Sequence, residues 1–243
     1  MSGLLLSSNG KITRAELRQI PAPEPTPTHQ PLAHYRIVEA LLETLGFRHI
    51  QVTREEYAVS PDGMRMFGVL DLEQGVTGVN FSIGLRNAND RSMRLAMTVA
   101  YRVLVCDNMA FVGDFMPVLH KHSKRLDLIE LVSIGVDKIQ RNFEPLKRQI
   151  EAWQSDPLED DRAKLILYAA FVEGRLAVPR NLLPVVHRHY FRPEYKAFHA
   201  RTLWSLSNAF TSAFKELRTI RQFQATARLG AFLGSFDGAR NLS

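Results

Sequence analysis

Apolar positions at Leu32, Tyr35, Val38, Leu41, Leu42 and Leu45 recur at helical spacing, and Gly46 stands where a left-handed cap would end the turn, so the pattern predicts an amphipathic helix from His34 to Leu45. The period then changes to two. Ile50 and Val52 share one parity and Tyr57 and Val59 the other, which predicts a strand with a bulge near Glu55-Glu56. Pro61-Asp62-Gly63 predicts a tight reversal, because proline fixes φ and Asp-Gly tolerates the turn, and Met64 to Leu72 returns as a second strand. After Glu73-Gln74-Gly75, the residues Val79, Phe81, Ile83 and Leu85 alternate with Asn80, Ser82, Gly84 and Arg86 as a half-buried third strand. A fourth strand is expected from Met93 to Val105, bulky on the parity of Met93, Leu95, Met97, Val99, Tyr101, Val103 and Val105, small and polar on that of Arg94, Ala96, Thr98, Ala100 and Arg102. The small face suits water or the close approach of a ligand or partner backbone.

From Asp127 the period is helical again. Leu128, Leu131, Val132, Val136, Ile139 and Phe143 form one stripe, and Pro145 is expected to kink or restart the helix before Ile150 and Trp153. Asp156-Pro157 reads as a cap and first residue of a helix that ends at Gly174, with further helices from about Asn181 to Tyr190, Arg201 to Leu217 and Gln222 to Leu233. Near the start, Ile12 to Ile20 reads as a short strand or a helical turn. Pro21, Pro23, Pro25, Pro27 and Pro31 then make a linker in polyproline II, free or docked across the body. The fold class is α+β: an N-terminal helix and an antiparallel sheet of about four strands, then a helical C-terminal part. The expected divisions are an N-terminal segment and linker (1–31), an α+β body (32–125) and helices packed on it (126–243).

Charge gives this outline a direction. The 243 residues hold 31 Lys and Arg against 25 Asp and Glu, but residues 162–243 hold 13 against 4 whereas residues 1–161 hold 18 against 21. Such asymmetry suggests an anionic partner, nucleic acid first, while the scatter of the basic residues through helical pattern also reads as a set of solvated helix faces. No apolar run approaches the roughly 18 residues of a membrane span, and the first residues lack the basic and apolar regions of a leader, so a cytoplasmic protein without a membrane partner is expected. Cys106 is the single cysteine, which excludes an internal disulfide and a multi-cysteine metal site.

Six stretches fall in order along most of the chain: Thr13-Arg14-Ala15-Glu16-Leu17 with its proline-rich follow-on; Asp62-Gly63-Met64-Arg65-Met66-Phe67-Gly68-Val69; Gly84-Leu85-Arg86-Asn87; Ser92; Val103-Leu104-Val105-Cys106-Asp107-Asn108-Met109-Ala110-Phe111 with Gly113; and Thr202-Leu203-Trp204-Ser205-Leu206-Ser207-Asn208-Ala209-Phe210-Thr211. Together they resemble the phage/plasmid-like protein family known as domain of unknown function 932. The resemblance implies context more than chemistry: cargo of bacterial phages, plasmids and integrated elements, with no catalytic residues to carry over. By association it adds weight to nucleic-acid transactions and to anti-defence roles. The order of helix, strand, Asp-Gly turn and two more strands is also similar, at the level of fold, to single-strand annealing proteins, without their motifs.

No G-x-x-x-x-G-K-[ST], G-x-G-x-x-G or G-x-S-x-G occurs, so the usual phosphate-cradling loops and nucleophile elbow are absent. His120-Lys121-His122 and His187-Arg188-His189 are the paired histidines, and H-x-H aligns both rings only in extended chain. Surface or nucleic-acid-facing histidines are expected there rather than metal ligands. Cys106, ending the fourth strand ahead of Asp107-Asn108, reads as a small buried hydrophobe rather than a nucleophile. Trp204 and Phe210 read as core anchors, and Asn208 as a structural amide. The polar loop from Arg86 to Ser92 is either an anion-binding concavity or a turn held by Asx bonds and an Arg-Asp pair.

The expected function is a nucleic-acid-binding accessory protein of a mobile element, favouring single-stranded DNA for binding or annealing, with no catalysis and no cofactor. Its contacts are expected at Arg86, Asn87, Arg91, Arg94 and Arg102 around the third and fourth strands, and at Arg201, Lys215 and Arg221 in the basic helices. An anti-defence or regulatory protein that binds a host protein is the second reading. A hydrolase or nuclease is the third, and it needs clustered carboxylates that the sequence does not group. Homo-oligomers are compatible with all three.

Overall fold

The computed structural model describes residues 11–27, 29–112, 118–120, 127–217 and 219–237. It divides into two compact units, Met1–Arg102 with Phe115–Glu144, and Val103–Asp114 with Pro145–Ser243. The division expected at 125/126 therefore falls elsewhere, because residues 103–114 belong with the helical unit and the first half of the long helix belongs with the sheet. The class is α+β, but seven strands occur among the described residues rather than about four.

The first unit begins with β1 (Lys11–Ile12) and α1 (Arg14–Arg18). A capping box starts α1: Glu16 N donates to Thr13 Oγ1 at 3.2 Å and Thr13 N to Glu16 Oε2 at 2.6 Å. Next comes α2 (His34–Phe47), with Ile37, Val38, Leu41 and Leu45 fully buried on one stripe as the period requires. It runs past Gly46, and His49 takes the left-handed conformation instead, at φ 55°.

β2 (Val52–Val59), β3 (Arg65–Val76), β4 (Val79–Ala88) and β5 (Leu95–Val103) follow β1 side by side in chain order. Past β6 (Asn108–Phe111), which belongs to the second unit, β7 (Val118–His120) pairs antiparallel with β5. Asp62-Gly63 makes the expected reversal between β2 and β3, with Gly63 at φ 70° and its N–H on Ser60 O at 2.8 Å.

The irregularity in β2 falls between Val52 and Arg54 rather than at Glu55-Glu56. From Arg54 onward the register sets Arg54 opposite Asp71 and Tyr57 opposite Gly68. A Cβ at Gly68 would lie 3.0 Å from the Tyr57 ring, so the glycine makes room for the tyrosine.

That register fixes two unlike faces. Met66, Leu70, Ile83 and Leu85 share the apolar one with Phe81, which stacks on Phe143 at 5.1 Å between ring centroids. Phe143 belongs to α3 (Leu128–Ser155), whose stripe Val132, Val136 and Ile139 is fully buried. The helix continues through Pro145 where a kink or restart was expected, and the chain passes there into the second unit. Asp71, Ser82 and Arg86 lie on the opposite face of the sheet.

The second unit holds α4 (Asp160–Phe171), α5 (Leu183–Phe191), α6 (Leu203–Phe214) and α7 (Thr219–Asp237), with α6 and α7 packed on each other and on β6. Asp156-Pro157 does not open a helix. Pro157 pairs with Thr202 in an antiparallel bridge, Asp156 O accepts from Leu203 N at 3.2 Å and Leu158 N donates to Arg201 O at 2.7 Å, so α4 starts later. Trp204 and Phe210 are core residues as expected. Asn208 donates to Trp204 O at 3.0 Å and accepts at its own carbonyl from Asn108 Nδ2 at 3.2 Å. Two segments quoted for the family resemblance, about 100 residues apart, therefore meet at this amide pair. Among the described residues no helix is long and apolar enough to cross a membrane.

Candidate nucleic-acid interface

The five positions singled out around β4 and β5 have different fates. Arg102 is buried, its Nε 2.7 Å from Asp71 Oδ2 and its Nη2 3.1 Å from Glu56 Oε2. Glu56 is also 2.6 Å from Arg54 and 3.7 Å from Lys11, while Asp71 Oδ1 accepts from Ser82 Oγ at 2.6 Å. Burial alone would raise the Glu56 carboxyl, but Arg102 and Arg54 outweigh it and hold the group below its ordinary value. Burial likewise disfavours charge on Arg102, and Asp71 and Glu56 reverse the effect. Arg102 is thus the hub of an internal charge network, and that burial removes it from the residues able to meet a phosphate.

Asn87 is fully buried as well, donating to Leu32 O at 3.2 Å and to His34 Nδ1 at 2.8 Å. The second ring nitrogen of His34, Nε2, lies 2.9 Å from Gly63 O. A carbonyl only accepts, so Nε2 carries the proton and the ring is neutral. Burial holds this imidazole below its ordinary value of 6.5, against the opposing bond to Gly63. The unfolded chain therefore takes up a proton first as pH falls. The stability contributed here is complete above about pH 6.5 and is lost as pH drops through the lower folded-state value. Urea midpoints measured from pH 7 to pH 5.5 are expected to fall in the wild type and to fall less in His34→Gln; equal slopes would assign the effect to other groups.

The loop from Arg86 to Ser92 is the Asx turn of the second reading. Asp90 Oδ1 accepts from Ser92 N at 2.9 Å and Ser92 Oγ at 2.5 Å, and its other oxygen is 3.4 Å from Nε of Arg65. The same loop holds the proline-rich segment, which is docked. Asn89 grips both backbone groups of Leu32, at 3.1 and 3.0 Å, its carbonyl meets His29 Nε2 at 3.1 Å, and Arg91 Nη2 donates to Thr26 Oγ1 at 2.8 Å. Arg86 is half-buried, and burial lowers its pKa. Arg91 and Arg94 are exposed. A cavity of about 370 Å³ near β1 is lined by Lys11, Arg14, Glu16, Glu55, Glu56 and Tyr57. Its charges are paired, Arg14 with Glu55 at 3.2 Å and Lys11 with Glu56, so it has no bias toward anions.

In the second unit, Arg201 is turned inward: Nη1 and Nη2 donate to Tyr190 O and Phe191 O at 2.5 and 3.2 Å, and the guanidinium sits 5.0 Å from both ring centroids. It caps the last carbonyls of α5, a stabilising role for a cation at a helix C-terminus. Lys215 is exposed and donates to Cys106 O at 2.8 Å. Cys106 lies past the end of β5, half-buried, with burial pushing its thiol up. That keeps it protonated at neutral pH.

Arg221 is exposed on α7. Arg180, Arg188, Arg192, Lys196 and Arg228 are exposed as well and were not singled out from sequence. A signal for three of them was present: from His187 to Lys196, basic residues interleave with Tyr190, Phe191 and Tyr195. Tyr195 is 37% exposed, its ring edge-on to Phe198 at 6.1 Å.

His187 packs on Phe191 at 4.4 Å, and His189 is half-buried, its pKa lowered first by burial and then by Arg188. The side chains of His120 to His122 lie outside the described residues. Among the described residues no group of three or more His, Cys, Asp or Glu is placed to hold a metal ion. Set against family models, curated proteins and solved structures, the chain matches none.

Proposed function

We propose that this chain is a nucleic-acid-binding accessory protein of a bacterial mobile element, acting in the cytoplasm on single strands by binding rather than catalysis. One observation carries the reading. Arg180, Arg188, Arg192, Lys196, Arg221 and Arg228 are exposed in the second unit and have no ion pair with a carboxylate among the described residues, whereas Lys164 pairs with Asp161 and Arg201 is committed to α5. Exposed, unneutralised cations are what neutralise a phosphate backbone, releasing the counterions condensed on it. Tyr195, exposed between Arg192 and Lys196, adds a ring on which a base can stack, at about 1–3 kcal/mol per base, and that favours single strands over duplex.

Binding is favoured over hydrolysis because the grouped carboxylates, Glu56 and Asp71, are already neutralised by Arg102, Arg54 and Lys11. The mobile-element context rests on the resemblance of the six quoted stretches alone. One observation favours the second reading, a host-protein partner: Leu165, Tyr168 and Val172 are 66%, 54% and 46% exposed at i, i+3 and i+7 of α4 and its cap.

The test is fluorescence anisotropy with single-stranded and duplex oligonucleotides over a salt series. The logarithm of affinity is expected to fall linearly with the logarithm of salt, by about 0.7 per neutralised phosphate for single strands. Arg188→Gln, Arg192→Gln and Lys196→Gln together should reduce that slope by about 0.7 per lost contact on single strands without moving the thermal midpoint. A flat salt response in the wild type sinks the reading.

A further inference from the structure

Arg221, Gln224 and Arg228 follow one another at spacings of three and four on α7, so they share one helix face. That face and the turn at residues 177–179 enclose a cavity of about 220 Å³, with Leu217 completing its wall. Among the described residues no carboxylate lines it. Two other guanidiniums of this unit have internal work: Arg201 caps a helix, and Arg175 lies 5.0 Å from the ring centroid of Phe236. Arg221 and Arg228 have no such bond, ring or ion pair among the described residues, and both line this one small space. The opposite wall is also out of the ordinary. Ala177 sits at φ 54°, a conformation that residues with a Cβ avoid, held by its N–H on Gly174 O at 3.0 Å.

We infer that this cavity receives a phosphomonoester, the terminal phosphate of a nucleic-acid strand. The inference rests on the nucleic-acid reading given above and narrows it from the backbone to an end. Three properties select the ligand. Two guanidiniums and no carboxylate present a double positive charge, which matches the charge of about −1.5 to −2 on a phosphomonoester at pH 7 and exceeds the single charge of an internal diester. Planar guanidinium forks bond two phosphate oxygens at once, and the Gln224 amide adds a neutral donor. The space is below the roughly 300–1,000 Å³ of pockets that take a whole ligand, so it admits one phosphoryl group and the start of what it esterifies. An internal phosphate would need the strand to leave in two directions; a terminal one needs a single exit.

The experiment compares wild type, Arg221→Gln/Arg228→Gln and Arg221→Lys/Arg228→Lys. Each is titrated at fixed ionic strength with one single-stranded sequence carrying a 5′-phosphate, a 3′-phosphate or hydroxyl ends, and thermal midpoints are recorded with and without inorganic phosphate. In the wild type a terminal phosphate is expected to raise affinity about tenfold or more, because charge-assisted bonds are among the strong ones. The Gln pair should abolish the ratio, and the Lys pair, lacking the fork, should keep only part of it. Equal affinity for all three strands in the wild type, with a steep salt response, overturns the inference and leaves the nucleic-acid reading standing. If no strand binds but inorganic phosphate raises the midpoint of the wild type and not of the Gln pair, the strand source falls and the phosphoryl site stands. If neither binds, both fall. Should the Gln pair fail to fold, Arg228→Gln alone carries the comparison.

Discussion

Arg102→Ala is expected to destabilise the sheet unit by about 3–5 kcal/mol, the usual cost of removing one partner from a buried ion pair. The side chain is 3% exposed, and its loss takes from Asp71, 4% exposed, the cation at 2.7 Å, while Ser82 Oγ still donates to Oδ1. Glu56 fares better, since Lys11 and Arg54 stay beside it. Most of the penalty therefore comes from one stranded carboxylate, and the natural control removes it too. Arg102→Met with Asp71→Leu should recover much of the loss, because replacing a buried pair by apolar residues is often neutral. Urea denaturation at pH 7 reads both. A loss under about 1 kcal/mol for Arg102→Ala would mean that water solvates the pair.

In the helical unit the largest effect is expected at Phe210. Its ring is fully buried, stacked on Phe171 at 5.8 Å and in contact with Phe214 and Phe232 at 6.0 and 6.4 Å. Phe210→Ala removes the shared neighbour of three rings, and such truncations cost about 3–5 kcal/mol through lost transfer energy and the cavity left behind. Phe47→Ala, at a ring 76% exposed, supplies the comparison and should change stability by less than about 0.5 kcal/mol. Similar midpoints for the two variants would show that the aromatic cluster collapses around the gap.

What was legible in the sequence is what short-range periodicity encodes. The stripe of α2, the Asp-Gly reversal and the burial of Trp204 and Phe210 all follow from spacing and residue type, whereas β4, expected half-buried, is buried on both faces along most of its length. Asp156-Pro157 shows where that logic stops. It has the chemistry of a helix start, yet pairing with Thr202 and Leu203, some 45 residues on, takes its backbone groups first. The bulge in β2 was misplaced for a related reason. Parity can report that a slip occurs between Val52 and Tyr57 but not where, and the register that follows it, with Tyr57 opposite Gly68, is set by the partner strand.

The site residues divide along the same line. Arg102 looks like any polar-face cation until Asp71 and Glu56, 31 and 46 residues upstream, are brought to it. Arg201 resembles a surface arginine until the C-terminus of α5 arrives beneath it. Arg188, Arg192 and Lys196 lay in a readable basic and aromatic run, whereas the pairing of Arg228 with Arg221 around one cavity depends on a turn more than 40 residues earlier.

The docked proline-rich segment alters what a truncation would do. Asn87 and Asn89 meet Leu32 from inside the fold, so cutting the chain back to Ala33 would not trim a tail; it would take both Leu32 bonds from the buried Asn89 carboxamide and leave Asn87 with His34, at about 1–3 kcal/mol for a buried group left unsatisfied. Pro21, Pro25 and Pro27 are exposed and bury little surface. Their effect lies in the detached state: a ring-locked φ leaves the loose segment few conformations to wander through, so little freedom is lost when it settles. Glycines at those three positions would leave every bond of the clamp drawn as before and still loosen it, because the stiffness that holds the strap in place belongs to the chain when it is off the sheet.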